Sequence, residues 1–197
     1  MSRAGKRSRV TKETSVEVAI ELDGSGHGDI ATGIGFFDHM LEQLARHGGF
    51  DLTVQVQGDL HIDTHHTIED TGLALGTALA EALGDKAGVR RFASVRVPLD
   101  EALIDVALDL SGRAYLHWEV AYPSHPVLLG TPPFDAQLAE EFFRAVVTNA
   151  AITLHVTAVR GRNTHHLVEA TFKAVARALR DAVRVEGDTV PSTKGTL

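Results

Sequence analysis

The chain contains no cysteine, and this absence narrows the chemistry that its 197 residues can carry. Disulfide frameworks, iron–sulfur clusters, thiolate zinc sites and cysteine nucleophiles are all excluded. A chain without disulfides fits a reducing compartment, so we expect a cytoplasmic location. Any metal ion must be held by nitrogen and oxygen ligands.

An excess of positive charge and long hydrophobic runs are also absent. Lys and Arg number 19 against 26 Asp and Glu, a net charge of −7, so we expect no nucleic acid partner. No apolar run approaches the roughly 18 residues of a membrane span, and no membrane partner is expected. Met1 to Lys12 carries five cations but no apolar signal segment. We expect a loose basic arm there, with a transit peptide as second choice.

Histidine is abundant, with 11 residues, and four of them form two His-His pairs. The pattern Thr-His-His-x-x-Glu occupies 64–69 and returns at 164–169, a spacing of 100 positions. A single histidine near a helix start is usually a solvated or capping residue. A duplicated pair with the same glutamate offset instead indicates an internal repeat with a shared function.

The flanks of the two motifs repeat as well. In each half an apolar helical face precedes an alternating strand, a turn leads to the motif, and the motif opens a second helix. The helical faces lie at 37–44 and 68–83 in the first half and at 138–150 and 168–179 in the second. The alternating strands lie at 16–22 and 50–56, and again at 104–110 and 152–158.

Both halves are therefore predicted to run strand, strand, helix, strand, helix, which makes the fold class α+β. Because a unit of about 85 residues buries little surface alone, we expect two fused repeats to pack sheets and helices around a pseudo-twofold axis. The repeats span 13–90 and 91–187 of a single chain without a domain linker. The Pro- and Gly-rich run Tyr122 to Pro133 is interpreted as an inserted surface loop.

The motif residues suit metal binding. Glu69 lies between the directions of His65 and His66 on a helix, while the two histidines point about 100° apart and suit two different ions. A helix N-terminus disfavours imidazolium and so keeps the rings neutral. Two such helices brought together would gather four histidines and two glutamates. Imidazole with carboxylate favours manganese or iron over zinc here, and disfavours calcium.

Five segments carry a pattern found in a known enzyme family. They are Phe-Asp-His-Met-Leu at 37–41, His-His-Thr-Ile-Glu-Asp-Thr at 65–71, Asp-Leu-Ser-Gly-Arg at 109–113, the ten residues at 165–174 that begin with the second His-His pair, and Pro-Ser-Thr-Lys-Gly at 191–195. Together they resemble the imidazoleglycerol-phosphate dehydratases of histidine biosynthesis, over nearly the whole chain. The resemblance implies dehydration of imidazole glycerol phosphate to imidazole acetol phosphate. It also implies 24 subunits with active sites between them, two Mn²⁺ per site and no organic cofactor.

The resemblance further implies a set of metal ligands. They are His39, His65, His66, Glu69, His165, His166 and Glu169. One position departs from the family, which usually has histidine where this chain reads Glu140-Glu141-Phe142. The repeat alignment pairs Glu141 with His39, so Glu141 either replaces the histidine as a ligand or is a surface residue whose place a water takes.

The substrate-binding residues follow from the same resemblance, and the last three lie in a C-terminal tail at 188–197. They are Glu13, His39, His47, His65, Glu69, Arg91, Arg113, His165, Lys173, Ser192, Thr193 and Lys194. Cations and a hydroxyl suit a phosphate dianion, although each cation alone also fits a plain surface position. The implied reaction passes through an imidazolate held between two ions. Glu13 or Glu169 is the favoured proton carrier, with Glu69 as a further catalytic candidate.

Two other functions share part of this pattern. A dimetal hydrolase of a phosphorylated small molecule would use the same ligands with a metal-bound water as nucleophile. A non-catalytic metal-binding assembly module would leave the phosphate-binding cations incidental. An assay of imidazole glycerol phosphate dehydration with manganese distinguishes all three.

Overall fold

The computed structural model describes residues 3–123 and 127–197 and places two four-stranded sheets beside four helices in these ranges. The first half runs β1 Ala4–Val10, β2 Thr14–Glu21, β3 Gly28–Ala31, α1 Gly35–Gly48, β4 Asp51–Gly58 and α2 His65–Leu83. The second half runs β5 Phe92–Leu99, β6 Ala102–Asp109, β7 Tyr115–Glu119, β8 Leu128–Leu129, β9 Phe134–Asp135, α3 Leu138–Ala150, β10 Thr153–Arg160 and α4 Thr164–Ala182.

The two large sheets have the same topology. Their strand orders are β1-β2-β4-β3 and β5-β6-β10-β7. In each sheet the first three strands are antiparallel neighbours and the last strand runs parallel to its neighbour. The α+β fold and its internal duplication are thus confirmed. Three strands of the large sheet, rather than two, precede the first helix of each half, and the second half adds the short strands β8 and β9. The predicted repeat boundaries at 13–90 and 91–187 stay predictions.

The helices pair across the two halves. Helix α1 packs on α4, and α3 packs on α2, while α2 covers β1 and β2 and α4 covers β5 and β6. Phenylalanine rings fill the shared core: Phe142 lies 5.3 Å from Phe37 and 5.4 Å from Phe172 between ring centroids. Because each half packs a helix on the other half, α1 of the first half lies beside α4, the helix that carries the second His-His motif.

The prediction of a loose arm at Met1 to Lys12 is wrong, because Ala4–Val10 forms the edge strand β1. The strand lacks the apolar alternation of its neighbours, since its close contact with α2 is made at Gly5. A Cβ atom at Gly5 would lie 1.9 Å from the Ala78 carbonyl oxygen. A strand that meets a helix through glycine leaves no hydrophobic signal in the sequence.

A buried polar network fastens β1 and β2 to the second turn of α2. Asp70 is 6% exposed, and its carboxylate accepts hydrogen bonds from Arg9 Nε at 2.9 Å and from the Thr14 hydroxyl. Asp70 directly follows Glu69 in the motif, and Thr14 directly follows Glu13. The network therefore holds two of the predicted site residues in a fixed relation.

The run Tyr122 to Pro133, predicted to be a surface loop, contains the short strand β8. Residues 124–126 of this run lie outside the described residues. Strand β8 pairs with β9, and Phe134 on β9 is fully buried, with its ring centroid 5.3 Å from that of Phe36. The run thus connects to the core at its end.

No helix in the described part of the chain combines the length and the apolar character that a membrane crossing needs.

Candidate metal centre and substrate cleft

Capping groups set the start of both motif helices. The Asn163 side chain accepts hydrogen bonds from the backbone N–H groups of His165, at 3.0 Å, and His166, at 3.5 Å. The Asp63 carboxylate accepts the N–H of His65 at 2.8 Å. Because unpaired N–H groups at a helix start need acceptors, these residues place each His-His pair in the first turn.

Three predicted metal ligands meet between α1 and α4. His39, His165 and Glu169 each offer a ligand atom, and these atoms lie within 4.8 Å of one another. His165 Nε2 lies 2.9 Å from Glu169 Oε2, and His39 Nε2 lies 3.9 Å from the same oxygen. We call this set the α1–α4 cluster. It combines a histidine of the first half with the motif of the second.

The Glu169 carboxylate is already well partnered. Its Oε1 lies 2.6 Å from Lys173 Nζ, and its side chain is 13% exposed. Burial alone would raise the pKa of Glu169, but hydrogen bonds from Lys173 and His165 outweigh burial and lower it. Glu169 is therefore held as a carboxylate, the form that ligates a metal. Lys173, predicted to hold substrate, is engaged by this carboxylate.

The first-half motif forms a looser counterpart on α2. His65 Nε2 lies 3.6 Å from Glu69 Oε2, and both side chains are almost half exposed. Glu141, in the first turn of α3, pairs with Arg144 at 3.8 Å between Oε2 and Nε. The structure thus places Glu141 on the helix that packs against α2, without a metal-sized cluster around it among the described residues.

The two motifs do not contribute to one shared cluster in the described part of this chain. The one group of three ligand atoms found there draws on α1 and α4 and contains no residue of α2. The physical reason is the exchange of helix partners, since α4 packs on α1 and α2 packs on α3. Each motif therefore forms a partial site of its own.

The second histidine of each motif contacts a carboxylate that the sequence did not single out. His66 Nδ1 lies 3.0 Å from Asp59 Oδ2, and His166 Nδ1 lies 2.7 Å from Glu101 Oε2. Glu101 is 65 positions from His166, and Asp59 lies seven positions before His66 in the turn that follows β4, so helical spacing does not reveal either contact. The His-His ring planes are 78° and 85° apart in the two motifs, as expected for histidines that serve different partners.

Hydrogen bonds shift the pKa values of these groups. The bond from His166, followed by the backbone N–H of Asn163, lowers the pKa of Glu101 to about 2. The bond to Asp59 raises the pKa of His66. The Asp59 carboxylate thus opposes the helix N-terminus at His66, since it favours the protonated ring while the helix dipole favours the neutral one.

Glu13 lies beside the first motif with its carboxylate largely free. Its Oε2 is 3.9 Å from His66 Nδ1, and its side chain is 55% exposed. His47, at the end of α1, lies near Lys173 and Arg177. Burial and then these two cations lower the pKa of His47.

The predicted phosphate-binding residues surround one cleft of about 640 Å³. Its lining includes Arg91, Arg113, Ser192, Thr193 and Lys194. Arg91 makes a bidentate pair with Asp109, at 2.7 and 3.1 Å, and donates to the Pro191 carbonyl oxygen at 2.8 Å. Arg91 thus anchors the tail, whereas the Arg113 side chain is 67% exposed. In the described part of the chain, no hydrogen bond or ion pair joins this cleft to the α1–α4 cluster.

Comparison with known proteins identifies the family. A family model described as imidazoleglycerol-phosphate dehydratase matches residues 32–179, which include both motif helices nearly entire. The chain belongs to the imidazoleglycerol-phosphate dehydratase family. The resemblance seen in the sequence motifs is thereby confirmed.

Relatives of this dehydratase family are similar over the full length of the chain. The imidazoleglycerol-phosphate dehydratase of Granulibacter bethesdensis is 57% identical over 200 residues, covering 100% of both chains. That of Paracoccus denitrificans is 54% identical over 198 residues, covering 99% of this chain and 100% of its own. Among solved structures, the Staphylococcus aureus enzyme is 40% identical with a TM-score of 0.82, covering 92% of this chain and 99% of its own.

The donor set of this dehydratase family member fits a divalent transition metal. Metal bonds to nitrogen and oxygen of about 2.0–2.2 Å place donor atoms no more than about 4.4 Å apart. The separations of 2.9 and 3.9 Å around Glu169 Oε2 lie within that limit. Two imidazoles with one carboxylate suit manganese, iron, cobalt or zinc. The α1–α4 cluster can therefore hold such an ion with small side-chain rotations.

Proposed function

We propose that this chain is a manganese-dependent dehydratase that converts imidazole glycerol phosphate to imidazole acetol phosphate. The observation that carries the proposal is the α1–α4 cluster of His39, His165 and Glu169 in a member of the dehydratase family. Two ions per active site would be held by these residues, by the motif residues His65, His66, Glu69 and His166, and by Glu141. When bound, the ions supply positive charge that stabilises the substrate imidazole ring as an imidazolate.

The contacts of the carboxylates favour Glu13 as the proton carrier. Both oxygens of Glu169 have close partners, Lys173 on one and His165 on the other, so Glu169 is a poor base. The Glu13 carboxylate has its nearest described partner atom at 3.9 Å and is exposed. A base must reach the substrate proton with a free oxygen, and Glu13 meets that requirement better.

The tail cleft is the proposed phosphate site. Arg113 and Lys194 supply exposed cations, and Ser192 and Thr193 supply hydroxyls, which together match the oxygens of a phosphate dianion. Arg91 contributes by fixing the tail through Pro191 and by adding charge at the base of the cleft.

We propose an assembly of 24 subunits with active sites between them. The number 24 follows from the family resemblance. The absence of α2 residues from the α1–α4 cluster in the described part of the chain supports shared active sites, because α2 ligands of one subunit could complete the α1–α4 cluster of another. The exposure of His65 and Glu69, 44% and 45% for their side chains, leaves them accessible to a neighbouring subunit.

The deciding experiment assays the intact protein with imidazole glycerol phosphate and Mn²⁺. We expect a product lighter by one water molecule, detected by mass spectrometry, and loss of turnover after the metal is chelated. Release of inorganic phosphate instead would indicate the hydrolase, and neither product would indicate a binding module.

Glu141→Gln is expected to weaken Mn²⁺ binding at one of the two sites by about tenfold or more, because an amide oxygen is a neutral and poorer donor. Glu140→Gln is the matched control, since Glu140 lies in the same turn and also pairs with Arg144. Binding isotherms for both variants give the result. The free energy of unfolding of both variants should change by no more than about 0.5 kcal/mol, as for other surface substitutions. If the two variants bind Mn²⁺ alike, Glu141 is not a ligand.

A further inference from the structure

We propose that Asp59 and Glu101 are positioning residues that orient His66 and His166 for metal binding. Each carboxylate accepts a hydrogen bond from Nδ1–H of its histidine and so leaves the Nε2 lone pair available to an ion. The inference rests on the proposed metal dependence. It adds to that proposal two residues that contact histidine rather than metal or substrate.

In the second half, hydrogen bonds to both carboxylate oxygens of Glu101 fix the Glu101–His166 pair. Glu101 Oε2 lies 2.7 Å from His166 Nδ1, while Glu101 Oε1 accepts backbone N–H groups of Asn163, at 2.8 Å, and Arg162, at 3.2 Å. An ionised carboxylate can only accept hydrogen bonds, so Nδ1 must carry the hydrogen. In the neutral ring, Nε2 is then the metal-binding nitrogen. The backbone bonds keep the carboxylate in place.

The first-half pair reaches the same arrangement. Asp59 Oδ2 lies 3.0 Å from His66 Nδ1, and the Asp59 side chain is 14% exposed. Its other oxygen, Oδ1, is buried without a hydrogen-bond partner among the described residues. A buried carboxylate with one oxygen unpaired costs stability, which argues that its contact with His66 serves the site.

The two carboxylates come from different places in the repeated fold. Glu101 directly precedes β6, and the corresponding residue before β2 is Glu13. Asp59 directly follows β4, and the corresponding residue after β10 is Gly161, which has no side chain. Glu13 stands 3.9 Å from His66 Nδ1, beyond hydrogen-bond distance.

The two halves therefore hold the second histidine of the motif with carboxylates from different positions in the repeat. In the second half the hairpin glutamate holds the histidine. In the first half Asp59 does so, which leaves Glu13, the equivalent of Glu101, with a free carboxylate beside the site. A duplicated backbone alone would place the carboxylate at the same position in both halves. Because the positions differ, the hydrogen bond to Nδ1 itself is the feature that both halves keep.

The expected loss of metal affinity is the one typical of histidine-ligated metal sites in proteins. A carboxylate behind a ligating histidine fixes its tautomer and raises its basicity, and its removal typically weakens metal affinity about 10–100-fold. In Glu101→Gln the amide oxygen can still accept the backbone N–H groups, while the NH₂ group faces Nδ1 as a donor. That contact favours the tautomer with hydrogen on Nε2, which cannot ligate.

The test measures Mn²⁺ affinity of the metal-stripped full chain by competition with a chelator. We expect Glu101→Gln and Asp59→Asn each to weaken binding at one site about 10–100-fold. Glu119→Gln is the matched control, with the same charge change at a carboxylate that lies 3.8 Å from Nε2 of His117, a histidine outside the predicted ligand set. We expect it to bind Mn²⁺ as the wild type does.

A second readout separates positioning from general destabilisation. The visible spectrum of the Co²⁺-loaded protein should change in Glu101→Gln and Asp59→Asn and stay the same in Glu119→Gln. Equal Mn²⁺ affinity and equal Co²⁺ spectra for Glu101→Gln and Glu119→Gln would overturn the inference while leaving the proposed function intact. A wild-type protein that binds no Mn²⁺ would overturn both.

Discussion

Replacing His165 by alanine is expected to lower kcat/KM on the order of 10³-fold or more, because a metal ion contributes several kcal/mol of charge stabilisation. His165 Nε2 is 2.9 Å from Glu169 Oε2, in the middle of the α1–α4 cluster. Loss of the imidazole removes one donor and leaves His39 and Glu169 too few to retain the ion. Steady-state kinetics with excess Mn²⁺ and metal analysis of the purified variant check both parts.

His155→Ala is the control for this substitution. His155 lies on β10, only ten residues earlier, and its side chain is exposed on the sheet, away from the α1–α4 cluster. We expect wild-type kinetics and metal content for it. A His165→Ala protein with full activity and full manganese would exclude the α1–α4 cluster from the reaction.

Lys194→Ala is expected to raise KM for imidazole glycerol phosphate about 10–100-fold, because a hydrogen bond to a charged group contributes about 1.5–3 kcal/mol. Lys194 lines the tail cleft with Arg113, and no ion pair occupies its ammonium group in the described structure. Since the phosphate lies away from the reacting ring, kcat should fall less than KM rises.

Lys6→Ala controls for the loss of one positive charge. Lys6 is an exposed cation on the edge strand β1 and should leave KM unchanged. Size-exclusion chromatography of both variants verifies that assembly persists. An unchanged kcat/KM in Lys194→Ala would show that the tail cleft is not the phosphate site.

Local patterns predicted the repeated architecture well. Period-2 alternation marked β2, β4, β6 and β10, and apolar helical faces marked all four helices, because each element buries one face in the shared core. Strand β1 was missed because its buried contact is Gly5, whose missing side chain lets α2 approach closely.

The candidate site was predictable in its residues but less so in its arrangement. The motifs singled out His39, His165 and Glu169, yet their meeting depends on which helices pack together, and helical spacing does not encode that choice. Asp59 and Glu101 were missed for a related reason. Glu101 is 65 positions from His166, so only the tertiary structure brings the two together.

The Arg9–Asp70–Thr14 network makes the two halves differ in how the motif ends of α2 and α4 respond to local opening. In the second half Ala170 stands where the first half has Asp70, so α4 lacks an equivalent bond to its sheet. An edge strand such as β1 is among the elements that open most readily. Local opening of β1 would therefore disturb the positions of Glu13 and of the α2 motif through Asp70, while the α4 motif would keep its position. Hydrogen exchange should record this as correlated protection of 4–10 and the start of α2, a dynamic asymmetry within a symmetric architecture.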